Sequence, residues 1–181
     1  MRSDRAAPRS LLSIVAVLSA CASEPTLAPP KVPDALQPPA GQSLFLEALA
    51  NGVQIYECTP KANPAGSYEW TFRAPEAVLA DRAGKSLGKH YAGPTWESSD
   101  GSSVVGEAKA RDAGPDASAI PWLLLNAKST SGNGVFSGTR SIQRVATVGG
   151  AAPTASCGAL NANEKVGVPY TATYYFYRAK P

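Results

Sequence analysis

The sequence predicts an all-β fold, a single-domain antiparallel β-sandwich or barrel with little helix. Three observations carry this. Short runs rich in β-branched and aromatic residues are separated by clusters of glycine, proline, asparagine and aspartate. The segment "VPYTATYYFYR" alternates, placing Val168, Tyr170, Ala172, Tyr174 and Phe176 on one face and Pro169, Thr171, Thr173, Tyr175 and Tyr177 on the other. Helical periodicity of useful length occurs nowhere, although a turn of helix is conceivable near Pro75 to Leu79 or Ala159 to Glu164.

Taken in order, "SLFLEALANGVQIYEC" places Asn51-Gly52 between two apolar runs. Asn-Gly favours a two-residue turn, so Leu44 to Ala50 and Val53 to Cys58 are expected to form a hairpin. A strand follows around Tyr68 to Arg73, with a break at Pro75 and a short strand at Ala77 to Ala80. "DRAGKS" reads as a turn, and Asp100-Gly101 as another hairpin signal before a strand from Ser103 to Ala108. Trp122 to Leu125 is a short apolar run. Pro121 before it and Ser131 to Gly134 after it favour a buried strand, with Ser141 to Val148 as its neighbour.

The N-terminus gives an address. Arg2, Arg5 and Arg9 form a basic region before the apolar run "LLSIVAVL", Leu11 to Leu18. A bilayer core of about 30 Å needs roughly 20 apolar residues, so this run is a signal-peptide core and not a membrane span. "LSAC", Leu18 to Cys21, resembles the lipobox of bacterial lipoproteins, in which the cysteine carries the lipid; the alternative is an ordinary signal peptide cut near Ala20 or Ala22. Ala22 after the cysteine resembles the sorting pattern for the outer membrane. The expected organisation is a signal peptide at 1–20, a lipidated Cys21 with a proline-rich linker over 21–41, and the β-domain over 42–181. The expected location is the bacterial cell envelope, anchored by lipid and facing the periplasm or the surface.

Cys58 and Cys157 remain as a pair in an oxidising compartment and are expected to form a disulfide. The alternative, a metal or redox pair, lacks a C-x-x-C spacing, and a single histidine cannot complete a zinc site with two thiols alone. Neither a metal nor a cofactor is expected. Formal net charge is +3, and removal of Arg2, Arg5, Arg9 and Asp4 leaves 14 basic and 13 acidic side chains. With no basic tract, a nucleic-acid partner is not expected.

The one histidine, His90, lies in "GKHYAGPTWESSDGSSVVG" with Tyr91, Trp96, Glu97 and Asp100. The functional reading makes His90, Tyr91, Trp96 and Asp100 a binding loop, or makes His90 the base of a hydrolase assisted by Glu97 or Asp100. The architectural reading has the glycines, Pro94 and Asp100 turning the chain, with His90 packed beside Tyr91 and Trp96 and bonded to backbone. Trp70 and Trp122 suit a core, whereas Trp96 suits either a core or a pocket for a small apolar ligand or a sugar. Ser86-x-x-Lys89 lacks the partner motifs of penicillin-binding enzymes, and Gly132-Asn-Gly134 reads as a hairpin loop and not a nucleotide loop.

Several stretches together, "GVQIYEC", "W-x-F-x-APEA-x-L", "G-x-HYAGPTWE-x-x-DGS", "IPWLLL" and "IQRV-x-T-x-GG-x-AP", resemble the secreted family known as domain of unknown function 3455 (DUF3455), over about Gln42 to Tyr177. The resemblance implies secretion or surface exposure and brings no activity, cofactor or site residues. Some fungal members carry a malate dehydrogenase label, which a chain without a nucleotide-binding unit does not support. The expected function is a cell-envelope lipoprotein whose β-domain binds a small ligand or an envelope protein, or is purely structural, with the hydrolase as the alternative.

Overall fold

The computed structural model describes residues 27–181. Eight strands form one closed antiparallel barrel in which each strand pairs with its sequence neighbours and the last pairs with the first. They are β1 (Gln42–Pro60), β2 (Tyr68–Ala80), β3 (Ser86–Tyr91), β4 (Thr95–Ser98), β5 (Ser103–Asp112), β6 (Trp122–Ser131), β7 (Thr139–Gly149) and β8 (Lys165–Ala179). Of the two architectures expected, the barrel is the one formed. Closure removes every free sheet edge along the paired lengths, and an eight-stranded interior is just wide enough to be filled by side chains or to hold one small ligand.

Period-two alternation decides which residues face inward. On β8, Tyr170, Ala172, Tyr174 and Phe176 enter the interior with Ala48 and Ala50 of β1, Leu79 of β2, Trp96 of β4, Val104 of β5 and Ile142 of β7. Tyr175 and Tyr177 lie on the opposite face with Val145 and are covered by Val32 and Leu44. The alternation read from the sequence of β8 is the one observed.

Several elements differ from expectation. Asn51-Gly52 is not a turn: both residues sit inside a continuous β1, paired with Val78 and Ala77 on one side and Thr171 and Tyr170 on the other. Gly52 is required there for close approach, because a Cβ would collide with the Glu76 carbonyl and Ala77. Pro75 does not break β2. It pairs with Gln54 beyond the last β3 partner, since β2 and β3 pair only from Ala77 to Ala80. A proline is tolerated where one edge of a strand is unpaired. Pro75 to Leu79 is therefore strand and not helix, while the other helical candidate is a single 3-10 turn, Ala159–Asn161.

Of the tryptophans, Trp70 and Trp122 are not the core residues expected, and Trp96 takes the core position that was one of its two expected places. Trp96 is the interior residue, 1% exposed, whereas Trp70 and Trp122 are half-buried. Trp70 donates its indole N–H to the Ala155 carbonyl (2.9 Å) in the long loop before β8.

The signal sequence and Cys21 lie outside the described residues. Within the expected linker, the described part is not a free spacer: a 3-10 turn, Asp34–Leu36, docks on the barrel and Leu36 is fully buried. The physical reason is a polar clasp. Gln143 of β7 donates to the Leu36 carbonyl (2.7 Å) and accepts from the Tyr177 hydroxyl (2.6 Å). The Cys58–Cys157 disulfide is formed, with Cα atoms 5.9 Å apart, and ties β1 to the loop between β7 and β8.

Candidate functional site

The barrel wall is uneven. β3 and β4 have six and four residues, whereas β1, β2 and β8 have 19, 13 and 15. The short β3–β4 hairpin therefore stops below the far halves of β2 and β5. Its turn, with Gly93 and Pro94, lies at a notch flanked by Phe72, Arg73 and Pro75 on β2 and by Ala108 and Arg111 on β5. Through this notch a cavity of about 590 Å³ enters the barrel. That is within the usual range for a small-molecule pocket, about 300–1,000 Å³.

His90 and Trp96 are cross-strand partners on the inward face of this hairpin. Their rings stack with centroids 4.3 Å apart and planes 15° from parallel, and Tyr174 of β8 meets both rings edge-on, at 5.1 Å and 5.2 Å. Trp96 lies over Gly106 of β5, where a Cβ would come within 2.8 Å of the indole. His90 Nδ1 is 2.8 Å from the Thr95 carbonyl, which can only accept, so Nδ1 carries the proton and Nε2 the lone pair. Burial lowers the His90 pKa to about 3, with the Arg144 charge acting in the same direction and the Thr95 bond opposing it. The imidazole is therefore neutral at physiological pH.

Four polar atoms in and beside the lining are buried without a hydrogen-bond partner: Gln54 Nε2, Trp96 Nε1, and the hydroxyls of Tyr170 and Tyr174. Gln54, Tyr170, Tyr174 and Arg144 are hydrogen-bond neighbours of one another, Gln54 and Tyr174 toward the Tyr170 hydroxyl and Arg144 toward that of Tyr174, although none of these contacts meets strict hydrogen-bond geometry. Arg144 of β7 pairs with Tyr174 across the β7–β8 ladder. Its Nε and Nη2 donate to the Pro121 carbonyl at 3.2 Å and 2.9 Å. Among the described residues no carboxylate forms a salt bridge with it. Burial pushes the Tyr174 hydroxyl well above its ordinary pKa and raises that of Tyr170, so both remain protonated donors.

The other residues singled out in the sequence stand elsewhere. Glu97 and Tyr91 are on the outer face, where the Tyr91 hydroxyl donates to Glu97 (2.7 Å) and Lys89 pairs with it at 3.1 Å. The Tyr91 hydrogen bond, then Lys89, hold the Glu97 pKa down. Asp100 accepts from the Ser102 hydroxyl (2.6 Å), the Ser102 N–H (2.8 Å) and the Val135 N–H (2.8 Å). These bonds, the Ser102 hydroxyl foremost, hold its carboxyl far below the carboxylate range, and they join the β4–β5 turn to the β6–β7 loop. Neither carboxylate is placed against His90. The hydrolase arrangement of His90 with Glu97 or Asp100 is therefore not assembled: Glu97 belongs to the opposite face of the hairpin by strand parity, and Asp100 is engaged in a turn.

Thus His90 and Trp96 share a cavity, while Tyr91 and Asp100 do not line it. Gln54 and Arg144 are among the lining residues the sequence reading missed, as are Tyr56 and Arg111. The available signal was parity, since Arg144 alternates with the inward Ile142, and Gln54 with the inward Ala48 and Ala50. A more open depression of about 750 Å³ crosses the outer wall near Asn51, Val78 and Tyr91, but it exposes none of the unpartnered buried atoms. Among the described residues, no three His, Cys, Asp or Glu side chains are grouped so as to hold a metal.

The class of protein is thus a closed up-and-down β-barrel with a polar-tipped cavity at one notch. The family described as "Protein of unknown function (DUF3455)" matches residues 39–178, and the chain belongs to that family. No curated protein and no solved structure matches it.

Proposed function

We propose that the protein is a small-ligand-binding barrel of the bacterial cell envelope, held to a membrane by lipid on Cys21. The observation that carries the binding reading is the cavity of about 590 Å³, whose lining residues Gln54, Trp96 and Tyr174 each carry a buried N–H or O–H group without a hydrogen-bond partner. Leaving a buried donor unsatisfied costs about 1–3 kcal/mol, so a ligand that satisfies several of them gains correspondingly. The stacked His90 and Trp96 form a rigid apolar floor, and Leu123 and Leu125 an apolar side. A hydrolase built on His90 with Glu97 or Asp100 has no support in the geometry, because Glu97 is engaged by Tyr91 and Lys89 and Asp100 by Ser102 and Val135.

The envelope reading is supported by the apolar run Leu11 to Leu18 followed by "LSAC", and by the disulfide. The outer wall of the barrel carries the ion pairs Arg73–Glu57, Arg82–Glu47 and Lys89–Glu97. Charged pairs of this kind suit a wall facing water and not one facing lipid, so the anchor and not the barrel meets the membrane. Intact mass of the membrane-extracted protein tests this: a diacylated chain beginning at Cys21 supports it, and a mature terminus at Ala22 removes it. For binding, spectra of the isotopically labelled full chain are recorded against a set of fragment-sized compounds. Shifts concentrated at His90, Trp96 and Tyr174 support the cavity as the site. A set that perturbs only the outer wall would overturn it.

A further inference from the structure

Among the described residues, the charged side chains that line the cavity are all basic. Trp96 Nε1 is a donor without an acceptor, and the Gln54 Nε2 and Tyr174 hydroxyl donors have only the Tyr170 hydroxyl nearby, outside strict hydrogen-bond geometry. Arg144 contributes the only charge beside Tyr174 on the β7–β8 ladder, and the Pro121 carbonyl engages its Nε and Nη2 but not its Nη1. Arg73, at the mouth, is already paired with Glu57, and Arg111 stands opposite it. Among the described residues no acidic side chain lines the cavity. His90, being neutral, adds no second positive charge at the inner end.

A half-buried guanidinium at the edge of a largely apolar cavity that no carboxylate lines is complementary to an anion. Arg111, the other lining arginine without an ion pair among the described residues, is exposed to water at the mouth, so the half-buried Arg144 is the charge set against the apolar lining, which includes Ile120, Leu123 and Leu125, and it balances one negative charge. Resting on the reading of the barrel as a ligand-binding protein, we propose that the cavity takes a small organic monocarboxylate. Its carboxylate meets Arg144, with Gln54 and Tyr174 as further donors, and its apolar body lies against Trp96 and Leu125. The flat stacked floor of His90 and Trp96 suits an aromatic or short-chain aliphatic body.

The test uses matched pairs on the full chain: phenylacetate against phenylacetamide, octanoate against octanamide, and phenyl phosphate as a dianion. Affinity is read by calorimetry, and the site by the ring resonances of His90, the single histidine. The carboxylates are expected to bind at least about tenfold tighter than their amides, and Arg144→Gln to remove that margin. Arg144→Lys, which keeps the charge but not the fork, should recover part of it and guards against a folding defect in the first variant. Equal affinity for acid and amide in the wild-type chain overturns the charge assignment and leaves the binding reading standing. Tighter binding of phenyl phosphate than of phenylacetate overturns the monocarboxylate. If no member of the set, charged or neutral, moves the His90 resonances, both readings fail.

Discussion

The imidazole of His90 lies flat on the indole of Trp96, centroids 4.3 Å apart, with its Nδ1 proton on the Thr95 carbonyl at 2.8 Å. Stacking and the hydrogen bond orient the ring, and the barrel wall excludes water from it. A histidine so placed is an architectural residue and a cavity floor at once. It satisfies the expectation of a ring packed beside Trp96 and bonded to backbone, but not the expected packing beside Tyr91, which lies on the outer face with Glu97.

Acid sensitivity should follow from this ring. The unfolded histidine takes a proton near pH 6.5, whereas burial lowers the folded value to about 3. Between these values the unfolded chain binds the extra proton, so stability is full above pH 6.5, falls on acidification, and stops falling from this source near pH 3. The slope is about 1.4 kcal/mol per pH unit, on the order of 2 kcal/mol lost by about pH 5. Asp100 acts in a lower window, because its depressed pKa costs stability only as pH falls through and below the ordinary value of 3.8. Denaturant melts at pH 7 and pH 5 check this. The difference should be present in the wild-type chain and absent in His90→Phe, and an equal difference in both would refute it.

Trp96 and Gly106 should behave as one packing unit. Removing the indole, 1% exposed, creates a cavity at the centre of the barrel, so Trp96→Ala should cost about 3–5 kcal/mol. Gly106→Ala places a methyl 2.8 Å from the indole and 3.2 Å from Leu125, an overpacking of about 1–3 kcal/mol. In the double variant the methyl has space. Its added cost over Trp96→Ala should shrink to near zero, and strict additivity in a double-mutant cycle would show that the two do not touch.

What was legible in the sequence was local and periodic. β8 was read correctly because its alternation is uninterrupted, and the Asp100-Gly101 turn because two short polar residues there are followed by a strand. Asn51-Gly52 misled because a dipeptide preference was weighed without parity. Ala48, Ala50, Gln54 and Tyr56 keep the same face across the pair, and a two-residue turn would have made them ends of two strands. Pro75 misled because the free length of β2 above a short β3 depends on where another strand stops. The cavity was only half legible for the same reason: His90 and Trp96 are near in sequence, but Gln54 and Arg144 reach it from β1 and β7 through barrel closure.

The disulfide should matter for stability and little for the cavity. Cys58 and Cys157 are 99 residues apart in sequence, and the bridge constrains the chain on the side of β1 near the β7–β8 loop. Cys58→Ala with Cys157→Ala should lose about 2–4 kcal/mol, the usual range for a native bridge closing a long loop. Thermal melts of this double variant, compared with the wild-type chain under reducing conditions, should give similar shifts. The His90 resonances at neutral pH should move little. A variant as stable as the wild type would mean that the bridge only records the compartment.

The clasp on the far wall should make residues before the barrel part of the domain. Leu36 is fully buried, its carbonyl holds Gln143 at 2.7 Å, and Gln143 in turn receives the Tyr177 hydroxyl at 2.6 Å. Val32 covers the same outward tyrosines, so an anchor at the N-terminus would be joined to a docked strap and not to a loose tether. Leu36→Ala should cost about 2–5 kcal/mol as a buried leucine truncation. Gln143→Leu leaves the Leu36 carbonyl and the Tyr177 hydroxyl unpaired and should cost about 1–3 kcal/mol. Because both changes break one clasp, their effects should add to less than the sum. Hydrogen exchange supplies the independent reading: amides of Leu36 and Gln37, which bond back to Pro33 and Asp34, should exchange faster in Gln143→Leu while the interior strands stay protected. Unchanged exchange at these two amides would show that the strap holds by its apolar contacts alone.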